Sequence, residues 1–83
     1  MREGDSIPAD IALSRMRPGE GGRVVRNDLV GGMRGRLMDI GMTPGARVTF
    51  LFAAPSGDPK AYLVNGGIFA LRNRDAEKIG VVP

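Results

Sequence analysis

The chain has no cysteine, no histidine and no tryptophan among its 83 residues. Without cysteine, neither disulfides nor thiolate metal sites can staple a fold. Without histidine the usual general base is gone. Together the two absences remove the commonest ligands of zinc, copper and iron and two common kinds of activated nucleophile. Catalysis is therefore not expected, and neither a metal centre nor a cofactor is implied. No apolar run approaches the roughly 18 to 20 residues of a membrane-spanning helix, and the N-terminal "MREGDSIPAD" has no apolar signal core. A soluble cytoplasmic protein is the expectation.

Charge of one sign is also in short supply. Twelve basic residues stand against nine acidic ones, a net +3, and lysine occurs only at positions 60 and 78, so arginine carries the positive side. Such a balance permits a basic binding surface without demanding one. What the chain does have is 13 glycines and 6 prolines, the residues of tight turns. Its length suits one small domain with an economical core.

Residues 1–10 are polar and aperiodic and predict a mobile extension, with the domain occupying 11–83. "DIALSRM" fits either a helical turn or an extended lead-in. "RPGEGG" at 17–22 is a turn, and "GRVVRN" a short strand centred on Val24 and Val25. In the next segment Met33, Leu37 and Ile40 fall at i, i+4 and i+7, the spacing of one helix face. Gly35 inside this helix costs about 1 kcal/mol relative to alanine, so the helix must rely on packing. Gly41 predicts a left-handed C-terminal cap, and Thr43-Pro44-Gly45 a type II turn into a strand.

That strand spans 46–54, with Val48, Phe50 and Phe52 alternating with Arg47, Thr49 and Leu51. After "PSGDP", the strands "KAYLVN" and "GIFALR" are joined around Asn65-Gly66-Gly67, a strong hairpin signal. Asn73 is placed to cap a last helical turn with Ala76 and Ile79 inward, and "GVV" closes the chain as a strand. About five short strands, one short helix and a C-terminal helical turn predict a mainly β protein, a small SH3-like barrel whose closure removes exposed edges.

Four segments, "RPGEGGRVVR", "RLMDIGMTPGARV", "APSGDP" and "ALRNRDAEKIGV", occur in the order and approximate spacing of the FeoA family, which the chain resembles over residues 11–83. FeoA proteins are small cytoplasmic accessory proteins of bacterial ferrous-iron uptake. The resemblance implies an SH3-like barrel that acts by binding, with the cytoplasmic GTPase portion of the ferrous transporter FeoB as partner. At the level of the family it also carries an association with transition-metal ions. The same domain type is similar to the C-terminal module of iron-dependent repressors. There it follows a DNA-binding region, for which the ten residues preceding this domain leave no room, so a stand-alone accessory role is expected.

The expected contact region runs from Arg34 to Thr43, comprising Arg34, Arg36, Leu37, Met38, Asp39, Met42 and Thr43. Met33 belongs to the inward stripe, whereas Met38 and Met42 lie off it and are expected at the surface, where methionine suits adaptable binding. Thioethers are poor ligands for ferrous iron without nitrogen or carboxylate support, which argues against a metal role. Asp39, in the last helical turn, opposes the helix dipole and is expected to accept bonds from Arg36 or from amides of the following turn.

The alternative function is a nucleic-acid-binding small barrel using Arg23, Arg26, Arg34, Arg36 and Arg47. The chain has only Tyr62 and three phenylalanines for a stacking platform, and these are mostly needed inside. Gly-x-x-Gly in "GGMRG" matches the KH clamp weakly, since a strand rather than a helix precedes it, and no Walker A spacing is present.

Overall fold

The structure, a computed structural model, describes residues 10–83. The mobile extension expected at the N-terminus lies, for residues 1–9, outside them. Six strands form one antiparallel sheet: β1 Ile11–Ala12, β2 Gly21–Asn27, β3 Arg47–Ala53, β4 Lys60–Val64, β5 Gly67–Leu71 and β6 Ile79–Val82, in the order β1-β6-β2-β3-β4-β5. Helix α1 spans Gly31–Asp39 and helix α2 Asn73–Ala76. The sheet curls around its core as a rough barrel. Its ladder is not continuous around the barrel, since β1 and β5 remain at the two ends of the order. None of the described helices is long and apolar enough to cross a membrane.

"DIALSRM" resolves into both options: β1, pairing Ile11 with Val81 and Ala12 with Gly80, then a 3-10 turn at Leu13–Arg15. That lead-in raises the strand number from five to six. Two Pro-Gly turns follow one pattern. Glu20 donates to the Arg17 carbonyl and Ala46 to that of Thr43, each at 2.9 Å, with Gly19 and Gly45 at positive φ as type II turns require. The hairpin between β4 and β5 turns at Asn65 (φ 52°) and Gly66 (φ 79°), the type I′ geometry of Asn-Gly.

Leu13, Val24, Leu37, Val48, Phe50, Tyr62, Val64, Ile79 and Val81 fill the core, and the Phe50 and Tyr62 rings meet at 5.5 Å between centroids. Phe52 does not join them. Phe50 pairs with Tyr62 and Phe52 with Ala61, so one extra residue is accommodated between them. This bulge shifts the alternation and leaves Phe52 61% exposed, contrary to the period-2 pattern.

Asn73 is not the cap of α2. The cap position is Arg72, without a side-chain bond, and the Asn73 N–H donates instead to Asp58 Oδ1 at 2.9 Å. The Asn73 side chain faces the loop: Nδ2 donates to the Gly57 carbonyl, and Oδ1 accepts from Lys60 Nζ. Lys60 Nζ also donates to the Ser14 carbonyl at 3.1 Å, linking the start of β4 to the segment after β1 across the unpaired seam. Arg26 of β2 bridges Asp28 and Asp10, which raise its pKa above the usual guanidinium value. Gly80 lies beneath this bridge, where a Cβ would collide with the Asp10 carboxylate.

Candidate docking groove

Helix α1 ends in a Schellman motif. Gly41 N–H donates to the Met38 carbonyl at 3.0 Å and Met42 N–H to the Leu37 carbonyl at 2.9 Å, with Gly41 at φ 101°. In this motif the residue two past the cap turns back onto the helix and packs against its last turn. Met42 therefore lies in the core with no exposed surface, which corrects its expected place on a binding surface. Met38, one turn back, is 39% exposed as expected.

The remaining expected contacts separate. Arg34 and Asp39 are exposed on α1, Leu37 is buried, and Thr43 is half-buried in the turn beyond. Asp39 accepts no hydrogen bond or ion pair among the described residues, so the support expected from Arg36 or the turn is not made. The turn amides are engaged elsewhere, Gly45 N–H with the Val24 carbonyl and Ala46 N–H with that of Thr43. Arg36 and Leu37 come together on an open groove of 220 Å³ between α1 and β5. Thr43 lines a separate, more polar depression with Gly41, Ala46, Arg47 and Asn65.

Met33, Leu37 and Ile40 face the groove from α1, and Phe69, Ala70 and Leu71 from β5. Arg36, Arg72 and Asp75 supply its polar edge. Met33 and Ile40 were legible as the inward stripe of a helix. They are only half-buried because β5, the end of the sheet, leaves that stripe incompletely covered. The β5 side of the groove was missed, although "GIFAL" carries no charge. A groove with an apolar floor and a small number of charges at its edge can bury a partner's side chain and fix its orientation.

The five arginines near the helix fall on three elements. Arg26 is held by Asp10 and Asp28, Arg23 lies opposite Arg47 across β2 and β3, and Arg34 and Arg36 are on α1. No group of three or more Asp or Glu side chains converges on a possible metal position among the described residues.

The family model for the FeoA domain matches residues 11–83. The solution structure of FeoA from Chlorobium tepidum is 35% identical, with a TM-score of 0.82 over 86% of this chain and 68% of that one. FeoA from Stenotrophomonas maltophilia, solved with zinc and put forward as an SH3 domain protein activating bacterial ferrous iron transport, is 27% identical, with a TM-score of 0.73 over 84% of this chain and 87% of that one. A manganese-dependent transcriptional repressor, 22% identical, shares the fold alone, with a TM-score of 0.79 over 93% of this chain and 43% of its own. No curated protein matches the chain. From the match across residues 11–83 and the barrel it shares with these structures, the chain belongs to the FeoA family, which is linked to ferrous iron transport.

Proposed function

We propose that this protein is a non-catalytic accessory factor of ferrous-iron uptake that works in the cytoplasm by docking on the GTPase-containing portion of a FeoB-like transporter. The observation that carries this reading is the apolar groove between α1 and β5, edged by Arg36 and Arg72, on a chain of the FeoA family. Its floor offers affinity by burial. Its arginines offer orientation and faster association with an acidic surface. Arg34, Met38 and Asp39 extend the contact along the exposed side of α1, Leu37 supplies the floor, and Thr43 lies at the far end. Met42 contributes by fixing the helix end rather than by touching the partner. The lack of histidine and cysteine supports a binding role over a catalytic one.

The test is affinity capture with the tagged full chain from its native cells grown in low iron, with membranes solubilised. Specific retention of a ferrous transporter bearing a GTPase domain, reduced by Arg36→Glu and by raised salt, is the expected result. Retention of nucleic acid instead, with the transporter present in the extract but unbound, would overturn the proposal.

A further inference from the structure

Strand β5 is an edge strand of five residues with neither a charge nor a proline. Edges of this length are ordinarily blunted by lysine, proline, a bulge or a cover, because their unpaired N–H and C=O groups template further pairing. The other edge, β1, is only two residues long.

The hairpin register fixes which groups of β5 are free. In a two-residue hairpin the flanking pair, here Val64 and Gly67, exchanges hydrogen bonds, and bonded pairs then alternate. Tyr62–Phe69 and Lys60–Leu71 are therefore bonded, while Ile68 and Ala70 aim their N–H and C=O groups away from β4. Phe69, Ala70 and Leu71 in succession line the groove, although the pleat sends Phe69 and Leu71 to one face of the sheet and Ala70 to the other. The groove thus runs beside the free edge of β5, where the outward groups of Ile68 and Ala70 lie.

We propose that the groove takes an extended segment of a partner protein, added as a further strand along β5, with apolar residues at every second position and an acidic residue at the end beside Arg36 and Arg72. This rests on the docking reading of the same groove and specifies its mode. Apolar side chains at every second position fill the floor over Leu37 and Phe69, and an acidic residue at the end of the segment meets Arg36 and Arg72. Among the described residues the ion pairs are those of Arg26 alone, leaving these two arginines available, and Asp75 is the single acid at the edge. A docked helix satisfies its own backbone and would shut the Ile68 and Ala70 groups away from water unpaired, whereas a strand bonds them.

The test screens a displayed library of random twelve-residue peptides against the full chain, then follows the recovered peptides by amide exchange. Recovered sequences should carry apolar residues at every second position with an Asp or Glu at one end, and slow exchange at Ile68 and Ala70 at least tenfold. Ala70→Pro removes an outward N–H at a position where an edge strand tolerates proline, and should weaken peptide binding by about five- to tenfold, the worth of one backbone bond. The double variant Arg36→Glu/Arg72→Glu, which leaves the backbone intact, should shift selection toward Lys and Arg. Recovery of no peptide, or of peptides indifferent to Ala70→Pro, overturns the strand site. Transporter capture separates the two proposals: equal retention by wild type and Ala70→Pro overturns strand addition and leaves docking standing. Loss of the transporter from both, with peptide binding intact on the wild type, overturns docking and leaves the strand site.

Discussion

Met42 donates its backbone N–H to the Leu37 carbonyl at 2.9 Å, and both side chains lie in the same buried cluster. The residue that ends the helix is thus also part of what holds it to the barrel. Met42→Ala should cost about 2–5 kcal/mol, the range for a large aliphatic side chain removed from a core. Met38→Ala, at the exposed position, should stay within about 0.5 kcal/mol of wild type. Urea titration of both variants gives the comparison, and equal losses would refute the assignment of opposite roles.

Gly41 is the hinge of that helix end. Its φ of 101° strains any side chain, and a Cβ there would sit 3.0 Å from that of Asn65 in the β4–β5 turn. Gly41→Ala should lose about 1–2 kcal/mol for the backbone conformation alone, with the Asn65 contact adding to it. Thermal and urea unfolding would show this, and a variant as stable as wild type would contradict the geometry.

Asp58 caps a helix fifteen residues away by accepting the Asn73 N–H. Asp58→Ala should cost about 1 kcal/mol, as for other lost caps. Asn73→Ala should cost a similar amount by a different route, since it frees Lys60 and Gly57 rather than the helix N–H. Equilibrium unfolding of the two single variants and the double variant would reveal coupling, because both substitutions act on one small network.

Tyr62 has no exposed surface, and its hydroxyl has no hydrogen-bond partner among the described residues. Burial, with Asp58 adding to it, pushes its pKa up to about 12 from an ordinary 10. The folded state therefore keeps this proton where the unfolded chain releases it. Stability is unaffected below pH 10 and falls as pH rises from 10 to 12, by about 2 kcal/mol for a shift of this size. Tyr62→Phe should remove that alkaline loss and be neutral or stabilising at pH 7, since the lost hydroxyl had no partner to abandon. Unfolding measured against pH in both proteins provides the check.

Local rules carried much of the fold. Two Pro-Gly turns, the Asn65-Gly66 hairpin and the glycine after Ile40 each have one favoured geometry, and each adopts it. The misreadings arose where a distant partner or an extra residue decided the outcome. Helical periodicity ends at Ile40, so it said nothing of Met42, which the Schellman motif turns back into the core. Strict alternation put Phe52 inside because a bulge leaves no mark in composition. Asn73 looked like a cap until Asp58, remote in sequence, occupied that role. In the groove, Arg36 and Leu37 were legible from the helix. The β5 wall was not, because a strand's place at the end of a sheet depends on pairings that the order of segments does not reveal.

Lys60 gives the barrel a seam rather than a closed ladder. One ammonium joins the Ser14 carbonyl, 46 positions away, to the Asn73 side chain, and it lies 5.8 Å from the centre of the Phe50 ring. Every other junction along the sheet is a row of backbone bonds that must break together. This one is a rivet, and releasing it frees the segment after β1 from the start of β4 without breaking any rung of the β3–β4 ladder. Since β5 is paired to β4 alone, a partner strand seated on it would brace the free end of the sheet, coupling occupancy of the groove to the rigidity of the fold.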